Sequence, residues 1–305
     1  MITEYVNKLI ENLPDDIKNR LTPLKIDLVL DGGAFNGSYL IGALYFLKEM
    51  EKRKYVTVER ISGCSIGSVV GLLYIIDSLD LMAKIYDIMF QEIKTTYHFN
   101  AIKQLKTILG DKIPEDVCNR ANKKLFITYN NIQKGTKPVK NVYRDVNELI
   151  NTIIRSCFIP FVIDGNILYE DKHIDGINPF IFDKEPDKKV LYLNLMGVNK
   201  LGHIWNVKNE KTNYHRLMTG LLDIHSFYIK QSNTDMCSYV EDWSFTRKYS
   251  TQFKVLIERV IVFIVYFLVY IKKYTPLDLE RNVMCKIATR VIQDIYIVLL
   301  ETYCL

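Results

Sequence analysis

Cysteine is sparse and scattered in this 305-residue chain. The six thiols, Cys64, Cys118, Cys157, Cys237, Cys285 and Cys304, form no CxxC pair and no Cys/His cluster with zinc spacing, and no dense disulfide framework appears. The five histidines make no HxH or HExxH arrangement. A reducing compartment and a site with no metal and no cofactor are therefore expected. Charge of one sign is also scarce. The net charge of +5 comes from Lys and Arg residues mostly interspersed with acids, which excludes the concentrated basic stripe of a nucleic-acid binder. Long apolar runs are missing too: the longest, residues 260–271, has 12 residues. As a helix it would reach about 18 Å, short of the roughly 30 Å of a hydrocarbon core, so no spanning helix is expected. The first residues, MITEYVNKLIENLPDD, carry acids early and lack an apolar h-region. That predicts no secretory signal, and a cytoplasmic chain or one peripheral on the cytosolic face of a membrane.

Glycine is the most informative scarcity. Only 14 occur, yet seven of them fall between Gly32 and Gly71, so tight backbone geometry is concentrated in one region. The rest of the composition, 49% hydrophobic and 25% charged, describes a globular protein with a sizeable core.

What is present alternates between strand and helix patterns. Residues 1–25 read as a lead-in, with an amphipathic helix on Val6, Leu9, Ile10 and Leu13 that stops near Pro14. Residues 26–30 are a compact apolar strand, followed by DGGAFNG and a helix with Leu40, Ala43, Leu44, Leu47 and Met50 on one face. A second strand at 56–62 precedes GCSIG and another apolar helix. Strand–turn–helix alternation predicts an α/β fold. Residues 125–130 and 139–143 flank a Lys-Gly-Thr turn and read as a hairpin, and residues 146–157 as a helix stopped before Pro160. Residues 162–168, with Asp164-Gly165-Asn166 at their centre, read as a second hairpin, and 189–196 as a buried strand.

Composition shifts after about residue 240. Between Arg247 and Arg290 there are nine Lys and Arg residues against three Asp and Glu. Past Pro276, Ile287, Ala288, Val291, Ile292 and Ile295 share one helical face, opposite Thr289, Arg290, Gln293 and Asp294. Apolar surface beside positive charge suits an anionic membrane interface; a helical pair packed on the main sheet satisfies the same pattern. The expected organisation is a lead-in at 1–25, a main domain at 26–200 and a helical C-terminal region at 201–305.

GCSIG has the form G-x-S-x-G, here Gly63, Ser65 and Gly67. On a sharp strand-to-helix turn the flanking glycines remove clashing side chains, and Ser65 stands at a helix N-terminus where developing negative charge is favoured. Acyl transfer through serine also needs oxyanion donors, and the backbone amides around Gly32 and Gly33 can supply them. DGGAFNG also approximates a dinucleotide-binding loop, but its third glycine position is Ala34 and a serine elbow follows where a ribose-binding acid would stand. For the base, His203, His215 and His225 fit the Ser…Asp…His order of a hydrolase. The sharper candidate is Asp175, in the loop His173-Ile-Asp-Gly-Ile-Asn-Pro179.

DGGAFNG, GCSIG and IDGINP, in this order, resemble the patatin-like phospholipases, which combine a glycine-rich oxyanion loop, a G-x-S-x-G elbow and a D-G-[GA] motif. The resemblance runs from about residue 28 to 196. The stretch Arg155-Ser-Cys-Phe-Ile-Pro160 and the hairpin before it are similar to minor landmarks of that family. It implies a three-layer α/β/α sandwich with a mainly parallel sheet, plus a helical C-terminal extension. It also implies a serine lipid acyl hydrolase acting on phospholipid or other lipid esters, with a membrane surface as partner. Ser65 would be the nucleophile and Asp175 the base of a dyad without histidine. The amides of Gly33, Ala34 and Ile66, with Gly32 in the same loop, would form the oxyanion hole. Gly37, Gly63, Gly67 and Gly176 complete the motifs. Two positions depart from the pattern. Asn36 stands where the family usually has a basic residue, which predicts a more weakly anchored loop. Ile177 replaces the second small residue of D-G-[GA], which predicts a crowded base loop.

Overall fold

A computed structural model describes residues 2–197, 200, 202–204, 206–208, 210–274 and 283–303. Its centre is a seven-stranded mixed sheet, mostly parallel, with helices on both sides. The strands are β1 (Leu24–Leu30), β2 (Val56–Gly63), β3 (Leu125–Asn131), β4 (Val139–Lys140), β5 (His173–Asp175), β6 (Lys189–Leu193) and β7 (Cys237–Tyr239). They run in the order β4-β3-β2-β1-β6-β7, with β5 paired to β3. The pairs β1–β2, β1–β6 and β2–β3 are parallel, while β4, β5 and β7 join antiparallel. Among the described residues, helices of eight residues or more are α1 (Ile2–Glu11), α2 (Gly37–Lys52), α3 (Ile66–Ile75), α4 (Leu81–Thr96), α5 (Val146–Cys157), α6 (Tyr214–Lys230), α7 (Phe245–Tyr274) and α8 (Val283–Tyr303).

β1 shows why the sheet is buried on both faces. Its residues alternate, so Ile26, Leu28 and Leu30 enter the main core, while Val29 packs with Phe182, Val190, Tyr192 and Trp243 on the other side. A strand covered on both faces reads as a nearly continuous apolar run, and residues 26–30 do so apart from Asp27. Between them, Asp27 is fully buried and paired with Arg60, a charge kept inside by its partner. On the main-core side α2 and α6 lie in backbone contact. A Cβ on Gly42 would overlap the Leu217 carbonyl, and one on Gly220 would overlap that of Tyr39, so two glycines set the helix separation.

Several expectations change shape. Residues 162–168 form no hairpin. The Phe161 amide bonds to the Asn166 carbonyl, and Gly165, at φ 79°, donates to Phe161, closing a local turn instead. Asp164 accepts from the Asn166 amide and pairs with Lys103. The sheet also takes β7 from beyond residue 200, where the sequence reads only as helical. Among the described residues no helix is long and apolar enough to cross a membrane. On α8, Ile287, Val291 and Ile295 are exposed; the side chains of Ala288, Ile292, Thr289 and Gln293 lie outside the described residues.

Candidate active site

Two strand-to-helix turns stand side by side because β1 and β2 are adjacent and parallel, with Leu30 opposite Gly63. The first turn, Asp31-Gly32-Gly33, leads through a short 3-10 segment into α2. The second, Cys64-Ser65, leads directly into α3. The carboxyl ends of adjacent parallel strands are where open α/β sheets bind ligands. The turns touch: a Cβ on Gly32 would lie 3.2 Å from both Ser65 Cβ and Cys64 Sγ.

Ser65 caps α3 at φ 50° and ψ −133°, a conformation that non-glycine residues avoid. The flanking glycines permit it. A Cβ on Gly67 would meet the Asp31 carbonyl oxygen at 2.7 Å, and one on Gly63 would meet the Gly67 carbonyl oxygen at 2.6 Å. The Ser65 amide is held from below, donating to the carbonyl (3.1 Å) and hydroxyl (2.9 Å) of Ser156. Neighbouring Cys64 is no competing nucleophile, because burial pushes its thiol well above the usual range.

Asp175 ends β5, where it faces Tyr129 of β3. Its amide donates to Phe158 and its carbonyl accepts from Asn130 Nδ2. One carboxylate oxygen, Oδ1, accepts from the Ile177 amide at 2.6 Å. The other, Oδ2, is buried without a hydrogen-bond partner. The Ser65 hydroxyl is near enough to pull the carboxyl pKa down, although no regular hydrogen bond to Oδ2 is closed. Burial outweighs that pull and raises Asp175 to about 6. Ser156 joins the two halves of the site: its carbonyl also accepts from the Gly176 amide, and its hydroxyl donates to the Thr128 carbonyl at 2.6 Å. The sequence marks residues 155–160 only as a landmark, so this positioning role is new.

Gly176 explains why an Asp-Gly pair is needed. A Cβ there would overlap the Thr128 carbonyl oxygen, a backbone atom of the partner strand. Gly176→Ala must push β5 away from β3 and carry Asp175 with it. A displacement near 1 Å at a reacting group costs about 100-fold, so kcat/KM for a soluble ester should fall by about that factor. Wild-type turnover in the variant would contradict this placement of Asp175.

The backbone donors at the glycine-rich turn are more selective than the motif implies. The Gly32 amide already donates to Asp31 Oδ1 at 3.1 Å, so Gly32 contributes close approach to Ser65 and no free N–H. Among the described residues, the amides of Gly33, Ala34 and Ile66 donate to no acceptor. Three non-glycine residues with positive φ meet here: Ala34 (42°), Ser65 (50°) and Ile177 (58°). Such strain clusters where surrounding structure enforces a functional geometry. Ile177 therefore fits the base loop by adopting a strained backbone, with its side chain half-buried.

The loop is firmly anchored despite Asn36. Asn36 is fully buried, donates to the Leu195 and Lys200 carbonyls, and accepts from Arg216 Nη1 at 2.7 Å. Arg216, from α6, is itself fully buried and also bonds the His203 and Asn206 carbonyls and Glu210. A distant arginine thus brings positive charge to the loop. Arg216→Ala would take the donor from the buried Asn36 and the charge partner from the half-buried Glu210, and leaving a buried acceptor unpaired costs roughly 1–3 kcal/mol. A fall in thermal stability, together with lower turnover, is expected; an unchanged melting temperature would contradict the anchor.

A second layer comes from α7. Lys254 Nζ lies 3.0 Å from Asp31 Oδ2 and 2.8 Å from Asn194 Oδ1. Glu258, buried on the same face, pairs with Lys137 at 2.7 Å and accepts from Asn178 Nδ2 at 2.8 Å. Glu258 stands out in the sequence only as a lone acid inside an apolar run. Of the candidate histidines, His225 packs on Phe46, His215 lies beside Glu210, and the His203 backbone carbonyl accepts from Arg216. No described histidine hydrogen-bonds Ser65.

The patatin-like phospholipase family model matches residues 28–178. Omega-hydroxyceramide transacylase of Mus musculus is 26% identical over 136 residues, 42% of this chain and 23% of that protein. The Homo sapiens protein of the same description is 24% identical over 164 residues, 50% of this chain and 31% of its own. The 1-acylglycerol-3-phosphate O-acyltransferase Pnpla3 of Mus musculus is 23% identical over 195 residues, 55% and 47% respectively. The matched segments span less than half the length of each relative.

Proposed function

The chain belongs to the patatin-like phospholipase family through residues 28–178, and from that premise we propose that it is a serine acyl hydrolase of lipid esters using a Ser65–Asp175 dyad. One observation carries the reading: a strained, helix-capping Ser65 beside a buried carboxylate whose Oδ2 has no partner, with both loops bound to Ser156. Asp175 accepts the Ser65 proton as Oγ attacks the ester carbonyl carbon. The tetrahedral oxyanion receives hydrogen bonds from the free amides of Gly33, Ala34 and Ile66, aided by the N-terminus of α3. The C–O bond to the alcohol then breaks, and the alcohol leaves with the proton that Asp175 held. Water, deprotonated by Asp175, attacks the acyl-enzyme and releases the fatty acid, returning Ser65 to its starting state.

A groove of about 500 Å³ beside the site, walled by Val255, Val262, Phe263 and Tyr266 of α7, has the size and character to hold part of an acyl chain. The names of the relatives favour a second reading of the last step, in which a lipid hydroxyl replaces water and the acyl group is transferred. Fatty-acid release from mixed phospholipid vesicles by wild type, Ser65→Ala and Asp175→Asn tests the hydrolase reading, and equal release by all three would sink it. Adding a lipid alcohol and analysing products separates hydrolysis from transfer.

A further inference from the structure

Helix α7 packs inside out. Its inward stripe, Lys254, Glu258, Val262, Val265 and Val269, recurs at helical spacing and begins with the two charged residues that bind the site. The valines continue onto Ile132 and Ile174. The opposite face is almost wholly apolar and in solvent: Phe253, Leu256, Val260, Phe263, Ile264 and Phe267 are all exposed, Phe263 by 67%. Soluble surfaces rarely leave so continuous an apolar ridge uncovered.

Charge identifies what covers it. α7 contains six Lys and Arg residues and a single acid, and that acid, Glu258, is buried and paired. Lys248, Arg259 and Lys273 are exposed and spaced eleven and fourteen residues apart, so they share one flank beside the apolar face. A helix with an apolar face and a basic flank suits an anionic lipid surface, where the face enters the acyl boundary and the cations meet phosphates. A second copy of the chain fits poorly. Arg247 and Lys248 at one end and Lys272 and Lys273 at the other would place like charges together in either direction of self-pairing.

We propose that the outward face of α7 docks on anionic lipid bilayers and that the Lys254–Glu258 clamp fixes the catalytic turns at that surface. The benefit to catalysis rests on the lipid-ester reading; the docking itself does not. The test is co-sedimentation of the full chain with vesicles of phosphatidylcholine alone or mixed with phosphatidylserine, alongside turnover of a soluble short-chain ester. Wild type should bind the mixed vesicles better. The double variant Phe253→Ser/Phe267→Ser, at two exposed residues outside the groove wall, should lose about tenfold or more of that binding while soluble-ester turnover is unchanged. Lys248→Gln/Arg259→Gln should lose binding to the anionic vesicles and little to phosphatidylcholine alone. Wild type that ignores both vesicles, or variants that bind as well as wild type, would overturn the proposal. A wild-type dimer in light scattering that the phenylalanine variant makes monomeric would also overturn it, in favour of a second copy. If wild type turns over no ester at all, the dyad fails while the sedimentation arms still decide the docking.

Discussion

Ser65→Ala is expected to reduce ester hydrolysis by roughly four to six orders of magnitude, because removing a nucleophile that acts as a unit with its base removes the whole covalent route. Nothing close by can substitute. The neighbouring thiol of Cys64 is buried and held protonated, and the described histidines do not bond Ser65. The fold should tolerate the change, since the amide of residue 65 still donates to Ser156 and only one hydroxyl is lost. Turnover of a soluble ester and the melting temperature, measured on the same preparation, separate the two effects. Loss of turnover at a wild-type melting temperature is the expected pair of results. Retained turnover would remove Ser65 from the reaction.

Asp175→Asn is expected to cost about three to four orders of magnitude by removing the base. Asparagine keeps the carbonyl oxygen that accepts from the Ile177 amide, so the loop geometry has its main bond. What disappears is the proton acceptor at Oδ2. In the wild type this acceptor has a pH signature. Burial raises the carboxyl to about 6, and only the ionised form takes a proton from Ser65. Wild-type kcat/KM should therefore be low in acid, rise through about pH 6 and level off above it. A carboxylate with an unshifted pKa would place that rise nearer 4. A profile flat between about pH 5 and 8 would contradict a burial-tuned base, as would near-normal turnover in the variant.

Local patterns made much of this protein legible. The apolar run at residues 26–30, the Gly63-Ser65-Gly67 spacing and the hairpin before α5 are short-range signals, and each lies within one element or turn. The two residues proposed to react stand out for the same reason, since Ser65 lies between Gly63 and Gly67 and Asp175 is followed by Gly176, glycines that their own turns require. What escaped the sequence depends on distant partners. Arg216 reaches Asn36 across 180 residues, and no motif near Asn36 announces it. Glu258 reads as an interruption in an apolar helix until its contacts with Lys137 and Asn178 appear. β5 and β7 have three residues each, too few to show a period of two. At residues 162–168 the turn signal was real, but its bonds close locally around Phe161 and Asn166, leaving no strands to pair. On α7 the sequence shows an apolar run with basic residues around it, while only the packing shows that Lys254 and Glu258 face inward.

The central claim, that Asp175 activates Ser65, is tested most directly by labelling the full chain with a fluorophosphonate probe and mapping the modified peptide. The account predicts a single adduct on Ser65, forming faster as pH rises through about 6 and almost lost in Asp175→Asn. No adduct, an adduct on another residue, or equal labelling of Asp175→Asn would contradict it.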